Sequence, residues 1–302
     1  MIKKLFPAFG TLNSILIFDE HALSILEEIK KCMLQIHQKF SFFDSGSEIS
    51  QINQHAGIHP VAVQEDTFDL LTQARYYARE TKGAFDVTAG SMSELWRKAI
   101  SSAHLPTKEQ IAFCKAHCDI NQLELDKAHG TAFLREKGMK LDLGGIVKGY
   151  AADKARSMLL SQGIQNAQLN FGGTVVAIGK MQKVGIQNPY QKTGISMASI
   201  VLKNKAVVTS GSYERYFMYG GRRLHHIIDP RTGKPSCSGL LSVSLIGENA
   251  AMLDALATGV YCLGKKESGS ILRRHAISAV FVTEDGSVQV TPELQGKISL
   301  SR

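Results

Sequence analysis

Two adjacent glycines, Gly144 and Gly145, separate a short apolar run from a stretch with the character of a helix. The run is Leu141-Asp142-Leu143, and the helix is expected to begin at Lys148-Gly149-Tyr150 and to end at Gly163. Paired glycines let the backbone approach a ligand closely, and the start of a helix offers free amide groups and partial positive charge. The junction therefore predicts a site for an anionic group such as a phosphate, although an ordinary tight turn would use the same residues.

The hydrophobic pattern on both sides of this junction predicts a mixture of helices and strands with no internal repeat and no obvious linker. Helices are expected over 21–40, 67–82, 108–117, 249–263 and 266–275, and Ser47 is expected to cap a further segment. Strands are expected over 9–18, 167–171, 175–178, 184–187, 196–202, 206–209, 240–247 and 277–283, with a hairpin over 123–139 and a hairpin turn at Gly220-Gly221. This order predicts an α+β fold with mixed, largely antiparallel sheets flanked by helices, and we treat residues 1–302 as one domain.

Composition restricts the partners. The chain has 302 residues, of which 44% are hydrophobic and 21% charged, and a formal net charge of +8. Its basic residues come as scattered pairs rather than as a run or a helical stripe, so a nucleic-acid partner is not expected. No stretch approaches the roughly 20 apolar residues that cross a membrane, and the N-terminus lacks the pattern of a signal peptide or lipid anchor. Five cysteines without framework spacing suit a reducing compartment, so a cytoplasmic location is expected.

Two other segments are interpreted as ordinary secondary structure. The stretch 83–96 is interpreted as a loop bracketed by glycines, and it carries Asp86. Cys114, His117 and Cys118 could suggest a metal site, but a second ligand pair at zinc-finger spacing is missing. We interpret these three residues as ordinary side chains of a helix.

Asp254 and Thr258 are four residues apart in a predicted helix, so their side chains share one face. A carboxylate and a hydroxyl beside a backbone carbonyl are hard oxygen ligands, which suit Mg²⁺. The alternative is that Asp254 interacts with the start of its helix and that Thr258 is merely packed.

Two later stretches contain groups that handle protons or phosphate. His226 precedes a rigid turn in HHIIDPRTGKP and could act as a general base, bind phosphate or be structural. Thr209, Ser210 and Arg215 in TSGSYERYF offer two hydroxyls and a guanidinium that could hold phosphate, or could simply lie at the surface. The dinucleotide glycine motif, the P-loop and the nucleophile elbow are all missing, which disfavours three common enzyme folds.

Six motifs, in this order, resemble the FAD:protein FMN transferases of the ApbE type: GAFDVTAG, LDLGGIVKGYAADKA, NFGGTVVAIG, VVTSGSYERYF, HHIIDPRTGKP and LDALATGVYCLG. The resemblance runs from about Phe9 to Gly264. It implies an enzyme that cleaves FAD, moves the FMN phosphoryl group onto a threonine, sometimes a serine, of an acceptor flavoprotein domain, and releases AMP in a Mg²⁺-dependent reaction.

The resemblance also implies a site. The metal would be held by the backbone carbonyl of Gly145 and the side chains of Asp254 and Thr258. Lys148 would neutralise the pyrophosphate together with Mg²⁺, and His226 would accept the proton of the acceptor hydroxyl. The residues implied to contact FAD are Phe43, Ala84, Phe85, Asp86, Asp142, Lys148, Thr209, Ser210, Gly211, His226, Ile227 and Asp229.

The chain departs from the family pattern at Phe9, Phe43, Thr174 and Leu253, where methionine, tyrosine, aspartate and alanine are respectively common. None of these positions is an implied metal ligand, so we expect activity to survive. Two alternatives remain: a hydrolase of the same fold that splits FAD to FMN and AMP with water, and a flavin-binding protein without turnover.

Overall fold

An eight-stranded sheet organises the computed structural model, which describes residues 1–19 and 23–300. The expected start of the first helix at His21 lies outside the described residues. The described helices are α1 (Leu23–Lys39), α2 (Glu48–Gln54), α3 (Glu65–Glu80), α4 (Gly90–Ser102), α5 (Lys108–Ala116), α6 (Val147–Ser161) and α7 (Ala250–Arg274). The first nine strands are β1 (Ile2–Ala8), β2 (Thr11–Ile17), β3 (Val61–Ala62), β4 (Leu123–Asp126), β5 (Thr131–Leu134), β6 (Ala167–Phe171), β7 (Thr174–Ile178), β8 (Gln182–Gln187) and β9 (Ser196–Leu202). The others are β10 (Ala206–Gly211), β11 (Tyr216–Tyr219), β12 (Arg222–His225), β13 (Ile228–Asp229), β14 (Lys234–Pro235), β15 (Leu240–Gly247), β16 (Ser278–Thr283), β17 (Val288–Val290) and β18 (Ile298–Leu300).

The strands of the large sheet lie in the order β1-β2-β6-β7-β10-β15-β16-β17, and every neighbouring pair is antiparallel. Smaller sheets are formed by β18-β9-β8, β3-β5-β4, β11-β12 and β13-β14. Helices α6 and α7 pack against each other and against strands of the large sheet. The expected α+β fold with largely antiparallel sheets flanked by helices is therefore confirmed.

Both faces of the large sheet are covered, because successive side chains of a strand point to opposite sides. Val208 of β10 and Leu245 of β15 belong to the cluster that contains the side chains of α6 and α7. Their neighbours Val207 and Ile246 instead join a second cluster with β8 and β9. Burial on both sides explains why all eight residues of β15 are buried.

Four features of the secondary structure were predicted wrongly. The first predicted strand began too early, because Phe9 and Gly10 form a turn with positive φ between β1 and β2. Strand β1 itself was missed; its alternating exposure is that of an edge strand, where Pro7 is tolerated. The stretch interpreted as a loop contains helix α4, and the second strand of the 123–139 hairpin ends at Leu134.

Other expectations hold at the level of single residues. The hydroxyl of Ser47 accepts a hydrogen bond from the amide of Ser50 at 2.9 Å and caps α2. The turn at Gly220 and Gly221 joins β11 to β12. The two helices expected on either side of Gly264 are separated by a kink inside α7, where Gly264 has a non-helical φ of 74°. In the ranges 1–19 and 23–300, no helix has the length and apolar character needed to cross a membrane.

Candidate active site

The segment Leu141 to Leu143 is held from two sides before it reaches the paired glycines. The side chain of Asn53 donates to the carbonyl of Leu141 at 3.0 Å and accepts from its amide at 2.6 Å. On the other side, the amide of Asp142 donates to the carbonyl of Val87 at 2.8 Å. The position of the glycine turn is thus fixed by groups far away in the sequence.

Helix α6 then packs closely against the start of α7, and Gly149 permits this approach. A Cβ atom at Gly149 would lie 2.1 Å from the carbonyl oxygen of Ala250 and 2.7 Å from the Cα of Ala251. Any side chain here would push the two helices apart. The glycine of the predicted helix start therefore sets the distance between the elements that carry Lys148 and Asp254.

The carboxylate of Asp254 lies at this helix contact and is almost completely buried, with 3% of the residue exposed. It accepts from the amide of Gly149 at 3.0 Å and lies 3.1 Å from the Nζ of Lys148. The same Nζ donates to the carbonyl of Gly144 at 3.0 Å. The ammonium group thus lies between the glycine turn and the only carboxylate of the expected metal set.

The other two expected metal ligands lie beside each other. A Cβ atom at Gly145 would be 3.2 Å from the hydroxyl oxygen of Thr258 and 3.2 Å from the ring of Phe85. The hydroxyl of Thr258 is 3.5 Å from the carbonyl of Asp254 one turn earlier. Along the described chain, no three His, Cys, Asp or Glu side chains converge. The expected ligands are oxygen atoms of Gly145, Asp254 and Thr258, and Gly145 lies beside the Thr258 hydroxyl, one helical turn after Asp254. This donor set fits a cation that prefers oxygen ligands.

His226 is exposed at the surface but lies beside other cationic groups. Desolvation, together with the positive charges of Arg215 and Lys148, lowers its pKa to about 4. Its Nδ1 lies 3.3 Å from the carbonyl of Arg215, which can only accept, so Nδ1 carries the proton and Nε2 is free to accept one.

The neighbouring histidine, His225, is buried and structural. Its Nε2 donates to the carbonyl of Ser236 at 3.1 Å, and its Nδ1 accepts from the amide of Ile227 at 3.2 Å. Desolvation lowers its pKa to about 4 as well. A neutral ring is required here, because protonated Nδ1 could no longer accept the amide of Ile227.

The remaining residues expected to contact FAD lie in several environments. The hydroxyl of Thr209 shares a hydrogen bond of 2.7 Å with Ser244, and Ser210 and Gly211 end β10. Ile227 is buried. The carboxylate of Asp229 is bound by the guanidinium of Arg231 through two contacts of 2.9 and 2.7 Å. Its role in FAD binding stays a prediction.

The segment from Ala84 to Asp86 passes the glycine turn, and Phe85 makes the approach to Gly145 described above. Ala84 has no exposed surface. The carboxylate of Asp86 accepts from the amide and the hydroxyl of Thr88 at 2.8 and 2.7 Å. Desolvation raises the pKa of Asp86. These contacts stabilise the segment, and its expected contact with FAD is likewise untested.

Arg97 of α4 was missed by sequence reasoning. Its guanidinium lies over the rings of Phe42 and Phe43, 4.9 and 4.5 Å from their centroids, and 3.6 Å from a carboxylate oxygen of Asp142. It thereby connects two residues expected to contact FAD, at the edge of an open cleft of about 660 Å³. The available signal was the pair Glu94 and Lys98, which are four residues apart and form an ion pair of 2.9 Å, as on a helix.

The fold is shared with ApbE proteins of known structure. The ApbE protein of Thermotoga maritima is 33% identical, with a TM-score of 0.89 and 98% of each chain covered. The flavin transferase ApbE of Vibrio cholerae is 25% identical, with a TM-score of 0.83 and the same coverage of both chains.

Sequence comparison gives the same family. The chain matches the ApbE family over residues 9–281. An FAD:protein FMN transferase of Klebsiella pneumoniae is 35% identical, over 80% of this chain and 77% of the relative. An FAD:protein FMN transferase of Treponema pallidum is 31% identical, over 96% of this chain and 86% of the relative. This chain belongs to the ApbE family.

Proposed function

We propose that this protein is an FAD:protein FMN transferase that moves FMN from FAD to a threonine or serine of an acceptor flavoprotein. The acceptor hydroxyl oxygen forms a bond to the phosphorus of the FMN moiety, the bond from that phosphorus to the AMP oxygen breaks, and AMP leaves. The observation that carries this proposal is the buried contact of Asp254 with Lys148 and Gly149 beside the glycine turn. Relatives named for this activity cover most of the chain.

Phosphoryl transfer of this kind depends on position and on charge neutralisation more than on covalent help from the protein. The ammonium of Lys148 is already held by Asp254 and the carbonyl of Gly144, so its charge is fixed in place. We assign it to the pyrophosphate of FAD. The turn at Gly144 and Gly145 lets the phosphate approach the backbone without a side chain in the way.

We assign a Mg²⁺ site to the carbonyl of Gly145, the carboxylate of Asp254 and the hydroxyl of Thr258. When bound, Mg²⁺ would neutralise charge on the pyrophosphate and on the departing AMP oxygen. The three protein groups are oxygen donors with a single negative charge, which leaves positions for phosphate and water. Asp254 would then hold both the metal and Lys148, and both positive charges would act on the pyrophosphate.

His226 is assigned to the proton of the acceptor hydroxyl. With its pKa lowered to about 4, the ring is neutral near pH 7 and its Nε2 can accept the proton. The positive charge of Lys148 also contributes to the lowered pKa of His226, which supports assigning both residues to one site. The other expected FAD contacts, from Phe43 to Asp229, and the single domain over 1–302 stay part of this proposal.

We also propose that the acceptor is met in the cytoplasm. All five cysteines are free thiols in the structure, and burial raises the pKa of the Cys118 thiol to about 12, so that it stays protonated. Free thiols suit a reducing compartment. Fractionation of cells that express the native protein tests this assignment, and recovery from the periplasm or the membrane would contradict it.

The decisive experiment combines two readouts. A threonine-containing flavoprotein domain is incubated with the protein, FAD and Mg²⁺, its intact mass is measured, and AMP is followed in parallel. A mass increase equal to one FMN, together with AMP and with loss of both in Asp254→Ala, is expected. AMP without a mass increase on any acceptor would identify a hydrolase instead, and neither product with retained FAD binding would identify a flavin-binding protein.

A further inference from the structure

Helix α4 is held against the segment that leads into the paired glycines. The amide of Gly90 donates to the carbonyl of Lys140 at 2.9 Å, and a Cβ atom at Gly90 would lie 2.5 Å from the same oxygen. Ala89 and Lys140 also form a parallel β-bridge. Because the start of α4 is fixed in this way, Arg97, about two helical turns further along, is brought beside Asp142.

The guanidinium of Arg97 meets three groups at once. Its Cζ lies 4.9 Å from the centroid of the Phe42 ring and 4.5 Å from that of the Phe43 ring. Its Nη2 is inaccessible to solvent, has no hydrogen-bond partner among the described residues and lies 3.6 Å from the Oδ2 of Asp142. That distance is too long for a hydrogen bond. Ring contact and charge, rather than a directed bond, therefore hold the guanidinium in position.

The ring of Phe43 projects largely into solvent. Its backbone is held locally, because the hydroxyl of Ser41 accepts from the amides of Phe43 and Asp44 at 3.1 Å each. The side chain, in contrast, is 73% exposed and meets the ring of Phe42 edge to face, with 5.5 Å between the centroids. A guanidinium stacked on such a ring restricts its rotation. Arg97 therefore determines where this exposed ring points.

The other partner of Arg97 leads to the glycine turn. The Oδ1 of Asp142 accepts from the amide of Gly144 at 2.9 Å, and the carbonyl of Gly144 accepts from the Nζ of Lys148 at 3.0 Å. Phe43 and Arg97 both line the cleft of about 660 Å³. A ligand with phosphate at the turn and a planar ring in this cleft would therefore meet both partners of Arg97.

We propose that Arg97 is a positioning residue of the FAD site, which fixes the ring of Phe43 relative to Asp142 and the glycine turn. This inference rests on the proposed function and deepens it. Arg97 acts through Phe43, because a ring that is already oriented does not have to be ordered when FAD binds. The effect is expected on FAD affinity rather than on the phosphoryl-transfer step, in which the protein charges are those of Lys148 and Asp254.

Removing the guanidinium tests this role. Arg97→Met keeps an unbranched side chain, and we expect the Kd for FAD to rise by about tenfold, as for loss of two cation–π contacts and an ion pair. The value of kcat for FMN transfer at saturating FAD should stay within about threefold. Arg97→Lys keeps the charge beside Asp142 but not the flat surface that covers the ring, so its Kd should lie between those of the wild type and Arg97→Met.

A double-mutant cycle with Phe43 shows whether Arg97 acts through this ring. In the Phe43→Ala background, adding Arg97→Met should raise the Kd for FAD by no more than about twofold, because the ring that Arg97 positions is gone. A rise of about tenfold in both backgrounds would overturn the proposal. Arg97 would then contact FAD itself or act through Asp142 alone.

Arg273→Met is the matched control, because Arg273 is an exposed arginine near the end of α7. It loses the same charge and should leave the Kd for FAD and kcat unchanged. An equal rise in Kd in this control would show that net charge, and not the position of Arg97, is responsible.

An unchanged Kd for FAD in Arg97→Met would also overturn the proposal, as would a loss confined to kcat. A failure of the proposed function is distinguishable from these outcomes. If the wild type binds FAD but transfers no FMN to any acceptor, the proposed function fails, while the Kd measurements still decide the role of Arg97.

Discussion

The junction of α6 and α7 and the hairpin of β11 and β12 represent opposite ways of building parts of one site. At the junction, backbone approaches backbone so closely that Gly149 has no room for a side chain, and Asp254 is 3% exposed. Within residues 1–19 and 23–300, the hairpin pairs only with itself, and Met218 is 58% exposed. A reaction at phosphorus requires charges fixed in position, and the junction provides them. The hairpin instead leaves large side chains accessible to solvent.

Removing the carboxylate at the junction should have the largest effect. Asp254→Asn keeps the shape of the side chain but removes its charge from beside Lys148, 3.1 Å away. Because the carboxylate is proposed to hold both Mg²⁺ and Lys148, FMN transfer should fall by about 10³-fold, as for loss of a central electrostatic group. AMP release at increasing Mg²⁺ measures this, and full activity at high Mg²⁺ would show that Asp254 is not essential.

A second acid at the same junction provides the control. Asp153 of α6 accepts from the amide of Ala251 at 2.9 Å and so caps the start of α7. Asp153→Asn should reduce the free energy of unfolding by about 1 kcal/mol, as for a weakened helix cap, with transfer retained. If the two variants lost activity equally, the helix contact as a whole and not the Asp254 charge would be responsible.

The close approach itself can be tested with a single methyl group. In Gly149→Ala the new Cβ would lie 2.1 Å from the carbonyl oxygen of Ala250, so the helices must separate. We expect the free energy of unfolding to fall by about 3 kcal/mol, the upper range for overpacking, and transfer to fall as Lys148 moves relative to Asp254. Urea denaturation and AMP release measure the two effects.

Gly269 is the matched control for this substitution. It lies in α7, where a Cβ would meet its nearest neighbour, the guanidinium of Arg273, at an ordinary 3.5 Å. Gly269→Ala should raise the free energy of unfolding by roughly 0.5–1 kcal/mol through helix propensity. Equal destabilisation of both variants would mean that the contact at Gly149 is not special.

The contrast between these regions also explains what the sequence could predict. Local patterns predicted the bounds of β6, β9 and β15 and the turn at Gly220-Gly221, because alternation and glycine pairs act over a few residues. Helix α4 was missed because the glycines and short polar residues of GAFDVTAGSMS hide its start. Its first amide, that of Gly90, donates instead to the distant carbonyl of Lys140 at 2.9 Å, a contact that no local pattern contains.

The candidate site was predictable to a similar degree. The spacing of Asp254 and Thr258 indicated a shared helix face, and the family resemblance indicated Gly145 and Lys148. That Lys148 would contact Asp254, 106 residues away, depends on the packing of two helices. The contact of Arg97 with Phe43 and Asp142 depends on a helix that was not predicted. The sequence shows which residue types are present, whereas the contacts between distant residues depend on how the chain folds.

His226 lies at the base of the hairpin, directly after β12. His226→Ala should reduce transfer by about 10²-fold, the usual range for a lost general base, with little change in the Kd for FAD. Because the pKa of His226 lies below the ordinary value of about 6.5, the ring is largely neutral near pH 7 and transfer should fall only as the pH drops well below that value. Single-turnover transfer and FAD titration separate the two effects. A loss confined to FAD binding would reassign His226 to the cofactor.

The smallest expected effect is on stability and concerns His225, at the base of the hairpin. His225 has a pKa of about 4 in the folded chain and about 6.5 when unfolded. Between these values the unfolded chain binds more protons than the folded chain, so the free energy of unfolding rises with pH. The stabilising contribution of His225 is therefore lost as the pH falls. For this group alone the loss between pH 7 and pH 5 is about 2 kcal/mol. Denaturation at both pH values measures it.

His225→Gln cannot titrate but offers a donor and an acceptor for Ser236 and Ile227, so it should remove this part of the pH dependence. His226→Gln supplies the comparison, because the accessible ring of His226 makes its contribution smaller. If the pH dependence of the free energy of unfolding stayed complete in His225→Gln and disappeared in His226→Gln, contacts other than those of His225 would hold the base of the hairpin. The firm attachment of the hairpin to the active site would then have to come from Arg215 and Gly10 instead.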